Sequence, residues 1–380
     1  LAIFANTLAG AESGNSTGKD MTTLMQANRQ WSARPSDERF LSLTELNEHV
    51  QTVRERSHAK VMSSRVIECR PVEGDNKALI CVGPNGGDVN ITNWSFGQLA
   101  QRAGAPSGYL RSLPSPMAAD CINYGLQVSR GIEDCGILLY KNGGPAELRA
   151  VTGPNYGRVW NSTITQALVD RFGDGLTGDF RIPGEFGKDV LITKTNTTLY
   201  ASDRDMFVFL ADEKHRIEIP NRRDGKTGEM ARGFFVWNSE VGSSTLGIST
   251  FLFDYVCCNR IVWGATQYAE VKIRHTASAS DRWLEEIAPA IESYATSSTT
   301  SVIKAIEDAR ANRINNVDEF LSKRFTRSQA SAIKAAHMND EQRPIETMWD
   351  AATGITAYAR GIQHQDFRVS LEREAGKLLN

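Results

Sequence analysis

The chain has 380 residues, 41% of them hydrophobic, with 43 Lys and Arg against 45 Asp and Glu for a formal charge of −2. That balance is ordinary for a soluble globular protein of one large or two medium domains, and the lack of any run of about 18 apolar residues excludes an α-helical membrane span. Near-neutral charge argues against a surface that is basic throughout and leaves nucleic-acid binding to a local patch.

Residues 1–30, rich in Ala, Gly, Ser, Thr and Asn, predict a weakly ordered arm. Its apolar start, Leu1 to Ala11, has no basic flank and runs into Glu12, a poor fit to a signal peptide. An α/β segment is expected over 31–130. Leu43, Leu46, Val50 and Val53 follow a Ser42/Thr44 start at helical spacing. Val61–Arg70 and Lys77–Val82 predict strands joined by a turn at 73–76, and Trp94–Leu113 two short helices broken at Gly104 and Pro106.

A β-rich domain is expected over 131–280. Its strands are Cys135–Tyr140, Glu147–Val151, Asp189–Lys194, Met206–Ala211 and Phe234–Trp237, with a helix at Asn161–Arg171. Ser249–Trp263 mixes helical spacing with a β-branched end and fits either type. Over 281–380 the pattern turns helical: Trp283, Leu284, Ile287 and Ile291 recur at three-to-four spacing, and Thr326 with Gln329 makes a capping box. Met348, Ile355 and Tyr358 mark a further helix and Phe367–Leu379 a last one. This order, an α/β start, a β-rich middle and a helical end, is α+β rather than alternating βαβ.

Six cysteines, Cys69, Cys81, Cys121, Cys135, Cys257 and Cys258, form no CxxC pair. That leaves no zinc ribbon or thioredoxin-like motif and predicts reduced thiols in a cytoplasmic protein. Cys257 and Cys258, being adjacent, are badly placed to bridge each other. The run 14–20 imitates a phosphate loop, but Ser13 stands where a Gly is needed and Asp20 where magnesium needs Ser or Thr.

Two segments invite a nucleic-acid reading. Residues 95–113 fit a helix-turn-helix, with Arg102 and Arg111 for phosphates, and equally a helix pair packed into a core. Residues 213–232 are the most polar stretch of the β-rich region, and Asp224-Gly225 and Thr227-Gly228 signal hairpin turns. There Lys214, Arg216, Arg222, Arg223, Lys226 and Arg232 outnumber the carboxylates; Lys and Arg on a hairpin can track a phosphate backbone. Trp237, or Tyr156, would supply a stacking plane, and Lys272 and Arg274 would extend the surface.

Asn238, Ser239 and Glu240 sit between an aromatic strand and a Gly/Ser turn, where they read as turn chemistry or, with His275, as a catalytic group. No GxSxG, HExxH or GxGxxG motif occurs, so no catalytic residue, metal or cofactor is assigned.

Six segments together resemble the phage- and plasmid-borne domain of unknown function 932 family: 30–46, 94–110, 148–164, 235–264, 272–276 and 348–359. The resemblance implies a mobile-element origin and a bacterial cytoplasmic setting, and carries no established activity. In outline the chain is also similar to ring-forming single-strand annealing proteins of the Rad type and their phage relatives. These hold the DNA backbone in a basic groove beside a β-rich sheet and hairpin. The expectation is a homo-oligomeric protein that binds or anneals single-stranded DNA, with no membrane partner. A helix-turn-helix duplex regulator and a structural or anti-defence protein that binds another protein are the competing readings.

Overall fold

The computed structural model describes residues 35–379 apart from 83–85, 129–130, 132, 185–189, 224, 255–258, 262–269 and 363–364. The arm at 1–30, the run 14–20 and the Cys257–Cys258 pair lie outside the described residues. The fold is α+β, built on two sheets and a C-terminal helical region.

The larger sheet is antiparallel and runs β1 (Arg39–Phe40), β9 (Leu199–Ala201), β10 (Met206–Arg223), β11 (Lys226–Asn238), β12 (Leu246–Asp254), β13 (Asn259–Ile261). Beside that path β8 (Phe180–Arg181) pairs with β10, and β14 (Glu270–Ile273) with β12. The smaller sheet runs β2 (Ser57–Ser63), β6 (Asp134–Tyr140), β7 (Ala146–Thr152), β5 (Asp88–Ile91), β4 (Asp75–Val82), β3 (Glu68–Val72). Only its β5–β7 pair is parallel.

The β12–β13 segment settles the ambiguous run 249–263 as strand over its described residues. Two expected strands differ. Val61–Arg70 is broken by a 3-10 turn at Ser64–Val66, where the Ser63 hydroxyl accepts from the Arg65 amide. Residues 190–194 form no strand, because the Asn196 side chain accepts from the Thr193 amide at 2.7 Å and ties the chain into a turn.

Helices cover one face of each sheet. α1 (Leu43–Glu55) starts where the Ser42 hydroxyl accepts from the Glu45 amide. It buries Leu43, Leu46 and Val50 against α5 (Asn161–Phe172) and the Leu199, Val208, Leu210, Phe234 and Val236 face of the larger sheet. α2 (Asn93–Arg102), α3 (Ser107–Leu110) and α4 (Ser115–Val128) pack Leu99, Leu110, Ile122 and Leu126 onto Cys81, Val89, Ile137 and Leu148 of the smaller sheet.

Beyond α6 (Ala288–Thr296) comes the helical layer: α7 (Thr300–Ala311), α8 (Val317–Ser322), α9 (Arg327–Glu341), α10 (Met348–Arg360) and α11 (Gln365–Lys377). The expected capping box at Thr326 and Gln329 opens α9. α10 is buried along almost its whole length at the centre of that layer. The organisation departs from a division at residue 130. β6 and β7 complete the sheet begun by β2–β5, whereas α1, from the first segment, covers the larger sheet.

Candidate functional site

β10 and β11 pair from Met206–Asn238 out to Arg223–Lys226. β12 accompanies β11 only between Met230 and Trp237, and β8 and β9 meet β10 no further out than Asp212. Past that point, among the described residues, the hairpin is a two-stranded arm. Ile217, Ile219 and Met230 alternate inward and join the core of the helical layer, and Arg310 donates to the Pro220 carbonyl at 2.7 Å. The pairing shifts register between Ile219 and Arg223, and Pro220, which lacks an amide hydrogen, sits in that irregular stretch. At the tip Arg223 and Lys226 are register partners, and Gly225 supplies the positive φ of +78° that the turn needs.

The expected phosphate contacts fare differently along this arm. Lys214 is exposed and pairs with Asp179 at 3.1 Å, and Arg216 pairs with Glu229 at 2.7 Å. Ion pairs with this much solvent exposure contribute little to stability. Arg232 leaves the set: it is 5% exposed, 3.2 Å from the buried Asp212 carboxylate, and donates to the Ser297 carbonyl at 2.7 Å. It ties the sheet to the end of α6 and has no face for DNA. Arg222, Arg223 and Lys226 are placed by the backbone at the tip.

Trp237, Lys272 and Arg274 lie at the other end of the sheet. Trp237 and Lys272 both pair with Gly247, and Arg274 follows β14. From Lys226 to Trp237 the strand runs about 35 Å at ~3.3 Å per residue. The sequence-derived set is thus two groups and not one surface. Trp237 is half-buried, with its ring 5.5 Å from Phe235, in a row of rings that continues through Phe207, Phe209 and Phe251.

Tyr156 belongs to this far end too, where the two sheets meet. Its hydroxyl donates to the Ser239 carbonyl at 2.8 Å and its ring stacks on His275 at 4.8 Å. The Gly157 backbone lies so close to Thr276 that a Cβ there would stand 1.7 Å from the Thr276 carbonyl oxygen. Glu240 is 1% exposed; one carboxylate oxygen is 3.0 Å from Arg149 of β7 and the other accepts from the Asn161 amide that opens α5. Asn238 donates to the Val159 carbonyl and the Asn161 side chain, both at 2.8 Å.

These contacts join β7, β11 and α5 through buried polar groups and leave the Asn238 side-chain oxygen without a hydrogen-bond partner among the described residues, and the 238–240 segment acts as a structural clamp. Burial lowers the His275 pKa, opposed by its bond to the Gly157 carbonyl and reinforced by Arg158; burial likewise raises the Tyr156 pKa. Arg149 carried no sequence signal, because its partner lies on another sheet. Beside this clamp, a polar cleft of about 520 Å³ opens between α2 and the end of β7, lined by Gln98, Gln101, Arg102, Thr152 and Tyr156.

The segment 95–113 forms α2 and the single-turn α3. Leu99, Ala100 and Leu110 are buried, Arg102 donates to the carbonyls of Asp134 and Thr152, and Arg111 donates to Asn93. A helix of four residues spans only about 6 Å, too little to read a major groove. Among the described residues no group of three or more His, Cys, Asp or Glu is placed to hold a metal, and no helix is long and apolar enough to cross a membrane.

A family model described as a domain of unknown function (DUF932) matches residues 186–373, which takes in the hairpin arm and most of the helical layer and leaves out the smaller sheet. No curated protein and no solved structure matches the chain.

Proposed function

The chain belongs to the DUF932 family, and we propose that it is a phage- or plasmid-encoded protein that binds single-stranded DNA through the tip of the β10–β11 arm. It would serve the recombination or replication of its element, with annealing as the candidate activity, in the bacterial cytoplasm. The observation that carries this reading is the register of Arg223 against Lys226, with Arg222 adjoining, at the end of a two-stranded arm. Like charges directly opposite in a hairpin are destabilising, and a phosphate backbone between them offsets that cost. Lys214 and Arg216 lie further down the same arm, with carboxylate partners that a phosphate can replace. Binding would proceed by release of counterions from the backbone, with no covalent chemistry.

The helix-turn-helix alternative is disfavoured by the one-turn length of α3. Fluorescence anisotropy with labelled single-stranded and duplex oligonucleotides at low salt tests the proposal. Single-strand binding tighter than duplex binding supports it. Binding to neither would end it and move the search to a protein partner.

A homo-oligomer is part of the same proposal, and the outer side of α4 favours it. Met117 (54% exposed), Cys121, Tyr124 (71%) and Val128 (53%) form an apolar stripe on a helix whose one charged residue is Asp120. Without Lys or Arg, that stripe suits neither DNA nor a membrane surface. Its spacing of four, three and four reads the same in both directions, so a second copy laid antiparallel sets Met117 beside Val128 and Cys121 beside Tyr124.

A further inference from the structure

A second recess lies on the smaller sheet, among β4, β5 and the helices α2, α3 and α4, and holds about 390 Å³. That volume is within the range of small-molecule sites. Its apolar wall is made by Leu79, Ile91, Phe96 and Leu110. Among the described residues no Asp or Glu lines it, yet two cations do: Lys77 and Arg111.

Among the described residues neither cation has a carboxylate partner. The Lys77 ammonium reaches only the carbonyls of Ser112 and Leu113, each at 3.4 Å. Arg111 donates to the carbonyl and side-chain oxygens of Asn93 at 3.0 and 2.9 Å, with its guanidinium 4.8 Å from the centre of the Phe96 ring. Two helices also begin at this recess, α2 at Asn93 and α4 at Ser115, and helix starts favour negative charge. An apolar wall, two cations balanced by carbonyl dipoles alone and two helix starts have one matching chemistry.

We infer that this recess binds a small amphiphile, an apolar body with a single anionic head, the head between Lys77 and Arg111 and the body against Leu79, Ile91 and Phe96. The inference is independent of the DNA-binding reading, since none of these residues belongs to the hairpin arm.

Isothermal titration of the full chain with octanoate, octanol and octylamine tests it. Octanoate is expected to bind saturably, about tenfold more weakly when either cation is lost, because a charge-assisted hydrogen bond disappears. Both side chains sit at the surface, so Lys77→Gln and Arg111→Gln are expected to keep the wild-type thermal midpoint. A Leu79→Trp variant, which fills the recess, is expected to abolish the binding. Octylamine binding as tightly as octanoate would show the recess to be merely greasy and overturn the anionic assignment. No saturable octanoate binding, or binding indifferent to all three substitutions, would overturn the site itself.

Discussion

Glu240, a buried carboxylate in the turn after β11 of the larger sheet, and Arg149, a buried guanidinium on β7 of the smaller sheet, hold the molecule at its seam. Removing one partner of such a pair leaves the other charge without compensation, which typically costs ~3–5 kcal/mol. Glu240→Gln is therefore expected to lower unfolding stability by about that much in a denaturant titration. The double change Arg149→Met/Glu240→Leu is expected to recover most of the loss, since well-packed apolar replacements of a buried pair are often neutral. The sequence singled out Glu240 because a charge stood in an aromatic, Gly-rich setting. It did not name Arg149, since nothing local marks a partner on another sheet.

His275 gives the seam a pH dependence. The unfolded chain protonates this residue near its ordinary value of 6.5, while the folded chain, with the ring buried and Arg158 nearby, does so only at lower pH. The unfolded state therefore binds more protons just below 6.5, and stability falls from there down to the folded pKa, then levels. Melting curves at pH 7.5 and 5.5 are expected to show a smaller drop for His275→Gln than for the wild type. The drop will persist in part, because burial lowers the His49 pKa in the same sense.

At the scale of elements, α4 was invisible in the sequence for a physical reason. Ala118, Ala119, Ile122 and Leu126 face the core while Met117, Cys121, Tyr124 and Val128 face outward, so apolar residues on two sides of the helix blur the period that Asp120, Asn123 and Gln127 would otherwise mark. Tyr124→Glu is expected to lower the self-association of the chain measured by sedimentation, with no change in its melting midpoint.

The β10–β11 arm shows the opposite case. Ile217, Glu218 and Ile219 alternate in strand fashion, but the density of charge over 213–232 made the stretch read as a connection with turns. The hairpin was legible and the full length of its strands was not, because the surface that buries Ile217 and Ile219 lies about a hundred residues downstream, in the helical layer. The split of the cations into two groups has a direct consequence: Arg274→Ala, at the far end of the sheet, is expected to leave single-strand affinity within about twofold of wild type in the same anisotropy assay.

On the scale of the whole molecule, the sequence conveyed the class, α+β with a helical end, and the family, but not the division into sheets. Strand patterns say which face of a strand is buried and not which sheet it joins. β6 and β7 were therefore assigned by chain position to the middle region, whereas they return to pair with β2 and β5. Likewise α1 crosses from the first segment to cover the larger sheet, beside α5. The two sheets are in this way interleaved along the chain and joined by the Glu240 clamp at the end of the larger sheet away from the arm, whose tip, among the described residues, stands clear of other strands.

The central claim is that the tip cations hold phosphates, and the salt dependence of single-stranded DNA binding tests it most directly. Each phosphate contact on a single strand contributes about 0.7 to the slope of log affinity against log salt. The Arg222→Ala/Arg223→Ala variant is predicted to bind more weakly than wild type, with a slope shallower by about 1.4. An unchanged affinity and slope in that variant would contradict the account.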